Sequence, residues 1–300
     1  MSNRLARRRM ALLVLLLAPL VSAWTQEQQC EWKDVQRIVA VGDVHGDYEQ
    51  FVKCLADARV IDKANKWIAG KTHLIQTGDI LDRGPDSKKA LDLVMSLEQQ
   101  AKEAGGCVHA LIGNHEAMIL AGDYRYIFEG EVEPYGGKEA FVEAMGPRGK
   151  YGKWIRGNLT AIKINDVLFV HGGLSPKYGT MSLGEINAKV WESLGAPSAF
   201  GAAAEDDGPL WYRGLADTNE STLKRILEPV FRKHGARHIV IGHTMTASGH
   251  GIQASADQAV IMLDVGMSRT YREGPAICLL IEDGKFYSVH GDERKELPAK

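Results

Sequence analysis

Two observations predict an α/β fold. Short β-branched apolar runs alternate with longer stretches of helical periodicity in the first half, and short apolar runs separated by turns dominate the second. In order, 37–41 (RIVAV) reads as a strand, 48–58 as a helix, 72–77 as a strand, 87–104 as a long helix and 108–112 as a third strand. Repeated strand–helix units of this kind feed a parallel sheet. Residues 167–170, 239–241, 259–264, 276–281 and 286–290 then read as short strands, so a second, mixed sheet is expected from them. Between Glu116 and His171 lies a Gly-rich, aromatic stretch with Tyr124, Tyr126, Phe128, Tyr135, Tyr151 and Trp154. Its central part, 117–160, reads either as a cap over a site or as a helical insertion that completes the core.

The 300-residue chain is 45% hydrophobic and 25% charged, which suits a globular domain with a sizeable core and excludes extensive disorder. Its 36 basic and 38 acidic residues leave no basic footprint for nucleic acid. Arg4, Arg7, Arg8 and Arg9 precede an apolar run over 10–21, which Val21-Ser22-Ala23 closes with small residues. This pattern predicts a signal peptide over 1–23 and a single mature domain over 24–300. The run is shorter than the ~20 residues of a membrane span, so export to the periplasm or beyond is expected, without a stable membrane anchor. Setting those arginines aside leaves 32 basic residues against 38 acidic ones, a mature net charge of −6. The four cysteines, Cys30, Cys54, Cys107 and Cys278, form no C-x-x-C pair, which argues against a thiolate zinc site. Disulfides and buried thiols both remain open for them.

The chemistry-bearing residues gather where the strands end. Gly42-Asp43-Val44-His45-Gly46 follows the first strand, and in extended chain Asp43 and His45 project to one side and can share a cation. The second strand leads into Gly78-Asp79-Ile80-Leu81-Asp82-Arg83-Gly84-Pro85, where a carboxylate can bridge two cations and a guanidinium can take a phosphate bidentately. The third leads into Gly113-Asn114-His115-Glu116, whose adjacent Asn114 and His115 must point to different sides. One can face metal while the other faces substrate. Two further runs deliver His171-Gly172-Gly173 and Gly242-His243-Thr244. Any one of these residues has an ordinary structural reading, as a helix cap, a surface ion pair or a core histidine. The repetition at five strand ends, each beside glycine, is what points to a shared metal centre. The remaining histidines, His73, His109, His234, His238, His250 and His290, lack that context and read as structural or surface residues.

In their order, GDVHG, GDILDRG, GNHE, HGG and GHT resemble the motifs of the calcineurin-like metallophosphoesterases. The Asp82-Arg83 pair is similar to the phosphoprotein phosphatase branch, and with Gly208-Pro209-Leu210-Trp211-Tyr212-Arg213-Gly214 the chain most resembles the Shewanella-like protein phosphatases. This resemblance implies a metallophosphoesterase-type β sandwich flanked by helices, with two divalent metal ions at the strand ends. It implies that Asp43, His45 and a bridging Asp79 hold one ion, and that Asp79, Asn114, His171 and His243 hold the other. Arg83 and Asn114 would bind phosphate oxygens. His115, its imidazole held and polarised by Asp82, would protonate the leaving oxygen as a hydroxide bridging the ions attacks in line. Mixed nitrogen and oxygen ligands suit Mn, Fe or Zn. The chain departs from eukaryotic members of the branch, whose arginine before GNHE is Ile112 here, and Arg213 is the candidate replacement. Asp264-Val265-Gly266 follows another strand without an assigned role. The implied activity is a metal-dependent phosphatase acting on a phosphorylated protein or a small phosphoester, with phosphotyrosine and phosphoserine or phosphothreonine both open. A dinucleoside tetraphosphatase, against which Asp82 weighs, and a broad-specificity exported phosphatase are alternatives. A non-catalytic metal-dependent binding protein is disfavoured because every expected ligand and His115 are present.

Overall fold

The computed structural model describes residues 28–195, 201–246 and 251–299; the expected leader and His250 lie outside the described residues. The chain begins with β1 (Glu31–Trp32), β2 (Arg37–Val41), α1 (Tyr48–Asp57), β3 (His73–Gln76), α2 (Ser87–Glu103), β4 (Cys107–Ala110) and α3 (Asn114–Leu120). It continues through α4 (Lys138–Met145), α5 (Lys150–Ile155), β5 (Ala161–Ile164), β6 (Val167–Val170), α6 (Leu183–Gly195), α7 (Glu220–His234) and β7 (His238–Ile241). The last elements are β8 (Gln253–Ala254), β9 (Val260–Met262), β10 (Cys278–Glu282), β11 (Lys285–His290) and β12 (Glu293–Glu296).

Period-two alternation sorts the strand residues between two cores. Ile38 and Ala40 of β2 face a layer shared with Ile75, Phe169, Val240 and Leu279, between two sheets. Val39 and Val41 face the other way, toward Phe51 and Leu55 of α1 and Leu91, Val94 and Leu97 of α2. The central strands are thus buried on both faces, and their sequences are continuously apolar for that reason. One sheet runs β12-β11-β10-β2-β3-β4 and the other β1-β5-β6-β7-β9-β8. The expected β2, β3 and β4 are parallel neighbours, and helix α2 packs on β4. With α6 against β5 the arrangement is helices, sheet, sheet, helices.

The expected membership of the second sheet needs correction. β10 and β11 join the first sheet, β10 pairing antiparallel to β2 with Leu279 opposite Ala40. An apolar run buried on both faces specifies that it is internal, not which neighbour it takes. The second sheet is completed instead by β1, β5 and β8, for which the sequence carries no expectation. The 117–160 stretch divides. Tyr135 packs edge-on to Phe141 and Tyr151, at 5.0 and 5.4 Å between ring centroids, and Trp154 donates to Glu98 at 2.9 Å. Tyr126 alone of its aromatic residues lies 5.2 Å from the His115 ring. Of the cysteines, Cys54, Cys107 and Cys278 are free thiols.

Candidate active site

Because β2, β3 and β4 run parallel in one sheet, and β6, β7 and β9 in the other, their C-terminal ends collect the loops that carry the candidate residues. The backbone in these loops is not relaxed. His45, Asp79, Asp82, Arg83 and His243 all have positive φ, at 45°, 59°, 66°, 66° and 63°. Such conformations in residues with a Cβ persist only where surrounding contacts over-determine them, and they cluster at functional sites.

Asp79 lies at the middle. Its Oδ2 is 3.7 Å from His45 Nε2, 3.9 Å from His115 Nε2 and 3.3 Å from His171 Nε2. Two groups of metal-competent atoms therefore share this one carboxylate: Asp79 with His45 and His115, and Asp79 with His171 and His243. Asn114 joins through Oδ1, 2.9 Å from His171 Nε2. Asp43 is tied to the same place by both its oxygens, each accepting from the His243 backbone N–H at 3.1 Å. Two glycines make the close approach possible. A Cβ at Gly242 would overlap the Asp43 carboxylate, and one at Gly113 would overlap that of Asp79.

The electrostatics suit cations. Burial pushes His45 down to about 3 and His243 down to about 2, the latter with help from His171, so both imidazoles are neutral. His45 Nδ1 donates to the Leu81 carbonyl at 3.0 Å, which leaves Nε2 with its lone pair toward Asp79. His243 Nε2 is buried with no hydrogen-bond partner. His171 behaves oppositely. Burial disfavours its charge, but Asp79, Asp43 and Glu116 outweigh burial and lift it to about 9. A site that draws a proton onto a buried imidazole carries excess negative charge, and buried charge of this kind is met by pairing or by metal. The orphaned His243 nitrogen, the shared Asp79 and this excess together fit divalent ions.

His115 and Asp82 form a second arrangement beside the first. His115 Nδ1 is 2.6 Å from Asp82 Oδ2, while Nε2 faces Asp79. Burial opposes a charged imidazole, yet Asp79 and Asp82 prevail and the His115 pKa is raised. Burial lifts the Asp82 carboxyl as well. The Arg83 guanidinium stands 4.0 Å from the centre of the Tyr271 ring and 5.0 Å from that of Tyr126, with its buried Nε unpartnered. Arg213 Nη1 donates to the His243 carbonyl at 3.0 Å and to Thr244 Oγ1 at 3.1 Å, which sets it at the end of β7.

Residues with no assigned role in the sequence hold these loops. The Glu116 carboxylate accepts from the backbone N–H groups of Asp79, Ile80, Leu81 and Gly113 at 2.7 to 3.2 Å, joining two motifs through one side chain. Fully buried Glu131 accepts from Asp82 N–H at 3.1 Å and Phe128 N–H at 3.1 Å. Arg269 grips Asp47 through Nε and Nη2, both at 2.9 Å, and Thr270 Oγ1 donates to the Arg83 carbonyl at 2.8 Å. Asp264 is buried close enough to Asp43 to raise its pKa after burial itself. Of these, Glu116 sits inside a recognisable motif and Asp264 follows an apolar run; Glu131, Arg269 and Thr270 carry no periodicity or spacing that marks them.

An α/β sandwich with carboxylate and imidazole groups gathered at its strand ends is an arrangement that suits a metal-dependent hydrolase. The family model of the calcineurin-like phosphoesterases matches residues 36–247, and the chain belongs to that family and is an enzyme of that type. It is similar to the Shewanella-like protein phosphatase 1 of Plasmodium berghei, 28% identical over 87% of this chain and 76% of that protein. The Shewanella-like protein phosphatase 2 of Arabidopsis thaliana is 27% identical, covering 82% of this chain and 75% of its own. Among solved structures, a cold-active protein-tyrosine phosphatase of a psychrophilic Shewanella species superposes with a TM-score of 0.78 at 30% identity, over 91% of this chain and 85% of that one.

Proposed function

We propose that this chain is a phosphomonoesterase acting on phosphorylated protein, with a dinuclear metal centre. The observation that carries this reading is the single Asp79 carboxylate shared by two ligand groups, with His115 Nε2 aimed at it. Asp43, His45 and Asp79 would hold one ion, and Asp79, Asn114, His171 and His243 the other, filled by Mn, Fe or Zn. Such a pair supplies an activated water and neutralises charge on a transferring phosphoryl group.

The chain's own residues do the rest. Arg83, restrained between Tyr126 and Tyr271, presents its unused donors to phosphate oxygens, and the free part of the Arg213 fork adds a second contact from the β7 side. Asn114 holds a further phosphate oxygen. Asp82 holds His115 Nδ1, so the proton on Nε2 points into the centre and is delivered to the departing oxygen. Burial disfavours that proton, but the Asp79 and Asp82 carboxylates outweigh burial and raise the His115 pKa. The leader expected over residues 1–23 makes the substrate an exported or extracytoplasmic phosphoester in this reading.

The test is a phosphate-release assay on metal-stripped protein, before and after adding Mn(II). Phosphotyrosine, phosphoserine and phosphothreonine peptides are compared with a dinucleoside tetraphosphate. Metal-dependent release from the peptides is expected, with the ranking giving the amino-acid preference. Turnover of the dinucleotide alone would overturn the phosphoprotein assignment, and silence on all four substrates would overturn the phosphatase reading.

A further inference from the structure

Besides the two groups that meet at Asp79, the described residues contain one more set of close metal-competent side chains: His73, Cys107 and His109. His73 opens β3 and Cys107 opens β4, and the two are register partners. His109 follows two residues after Cys107, so all three side chains leave the same face of the sheet. This is the face turned toward the second sheet, where Ile75 and Leu111 continue the row. His73 Nδ1 is 3.0 Å from His109 Nε2, and Cys107 Sγ is 3.9 Å from His109 Nδ1. One donor atom from each residue lies within 4.8 Å of the others. Trp32 of β1 covers them, its ring centroid 4.3 Å from that of His109.

We propose that His73, Cys107 and His109 form a second metal site, for a Zn(II)-class transition ion, at the end of the sandwich away from the catalytic centre. Along the strand direction it is removed from Asp79 by on the order of 15 to 20 Å. Two imidazoles and a thiol are the donor set of Zn(II) and its borderline neighbours, whereas Mn(II) prefers oxygen. Tetrahedral bonds of ~2.0 to 2.3 Å require donors roughly 3.3 to 3.7 Å apart, so closure calls for shifts of about an ångström or less. An open cavity of about 590 Å³, lined by Trp32, Glu98, Cys107, His109 and Trp154, supplies an entry path. Burial holds His109 down at about 3 and lowers His73, which disfavours the charged form of both rings; the proton shared between His73 Nδ1 and His109 Nε2 would shift to an outer ring nitrogen on binding. Burial, with Glu98, pushes the Cys107 thiol up to about 11, so the sulfur is no nucleophile by itself. On binding, the thiol proton leaves to solvent as the sulfur–metal bond forms. The ion would tie the first residues of β3 and β4 together beneath a side chain of the opposite sheet.

Co(II) is the probe, because the catalytic centre has no cysteine and a thiolate-to-cobalt charge-transfer band therefore distinguishes this site from that centre, with Cys107→Ser assigning it to this thiol. The folded full chain, preloaded with Mn(II), is titrated with Co(II) and then with Zn(II). We expect a band that saturates at one equivalent and is bleached by Zn(II). It should be absent in Cys107→Ser and shifted to at least tenfold weaker binding in His73→Ala, each variant being checked for native circular dichroism and unchanged Mn(II)-dependent turnover. Absence of the band in the native protein, or its persistence in Cys107→Ser, would overturn the proposal. If Cys107→Ser fails to fold, an undiminished band in His73→Ala would do the same.

Discussion

Asp79 and His115 are neighbours whose atoms point to different tasks. Asp79 Oδ2 is approached by three imidazoles, whereas its Oδ1 accepts the backbone N–H of His115 at 3.0 Å. His115 has its own fixed partner in Asp82. Replacing His115 with asparagine should therefore leave metal content near normal while slowing turnover by the ~10² to 10⁴ of a lost general acid. Asp79→Asn should lower metal content and turnover together. Metal analysis beside kcat measurement separates the two, and a His115→Asn protein that turns over normally would remove the acid role. The candidate residues that the structure gathers around Asp79 were legible at this scale because metal chemistry admits few side chains, and each stood beside glycine after an apolar run. The bracing roles of Glu116 and Glu131 were not, because a carboxylate that binds backbone N–H groups 35 to 49 residues away looks in sequence like any surface acid, and Arg269 meets Asp47 across 222 residues.

At the scale of elements, the loops after β2 and β3 depend on what lies beneath them. Glu131 braces the Asp82 N–H from the segment between α3 and α4, at a position with φ of 66°. Burial lifts its carboxyl from an ordinary 4.5 to about 7, with Asp82 adding to the effect. The folded protein thus resists an ionisation that the unfolded chain undergoes freely. The penalty is absent below about pH 4.5, grows toward about pH 7 and is complete above it. Glu131→Gln stays neutral and lacks this penalty. Its stability relative to the native protein should rise across that window, measured as urea midpoints at successive pH values. A difference that stays flat would mean that the carboxyl titrates as it does in the free chain.

For the molecule as a whole, the site exists because two sheets direct their parallel strand ends to one edge. β10 contributes to that frame from outside the motif-bearing region, with Leu279 fully buried between the sheets opposite Ala40. Leu279→Ala should cost about 2 to 5 kcal/mol of unfolding free energy, as large-to-small changes in packed cores do, while kcat of the folded enzyme is retained. Denaturant unfolding checks the first and saturating assays the second. A loss below about 1 kcal/mol would contradict the packing of β10 between β11 and β2.

The sequence by itself determined the first parallel strands, the helices between them, and the motif residues that end the strands. Those features are local: apolar periodicity over a few residues, and side-chain types that few other chemistries need. Only the tertiary structure decided that β10 and β11 complete the first sheet, that β1 and β5 belong to the second, and that His73 meets Cys107 and His109. Each of these is a pairing between segments distant in sequence. A strand buried on both faces carries the same apolar signature whichever neighbour it takes, and a histidine carries none until its partners are in place.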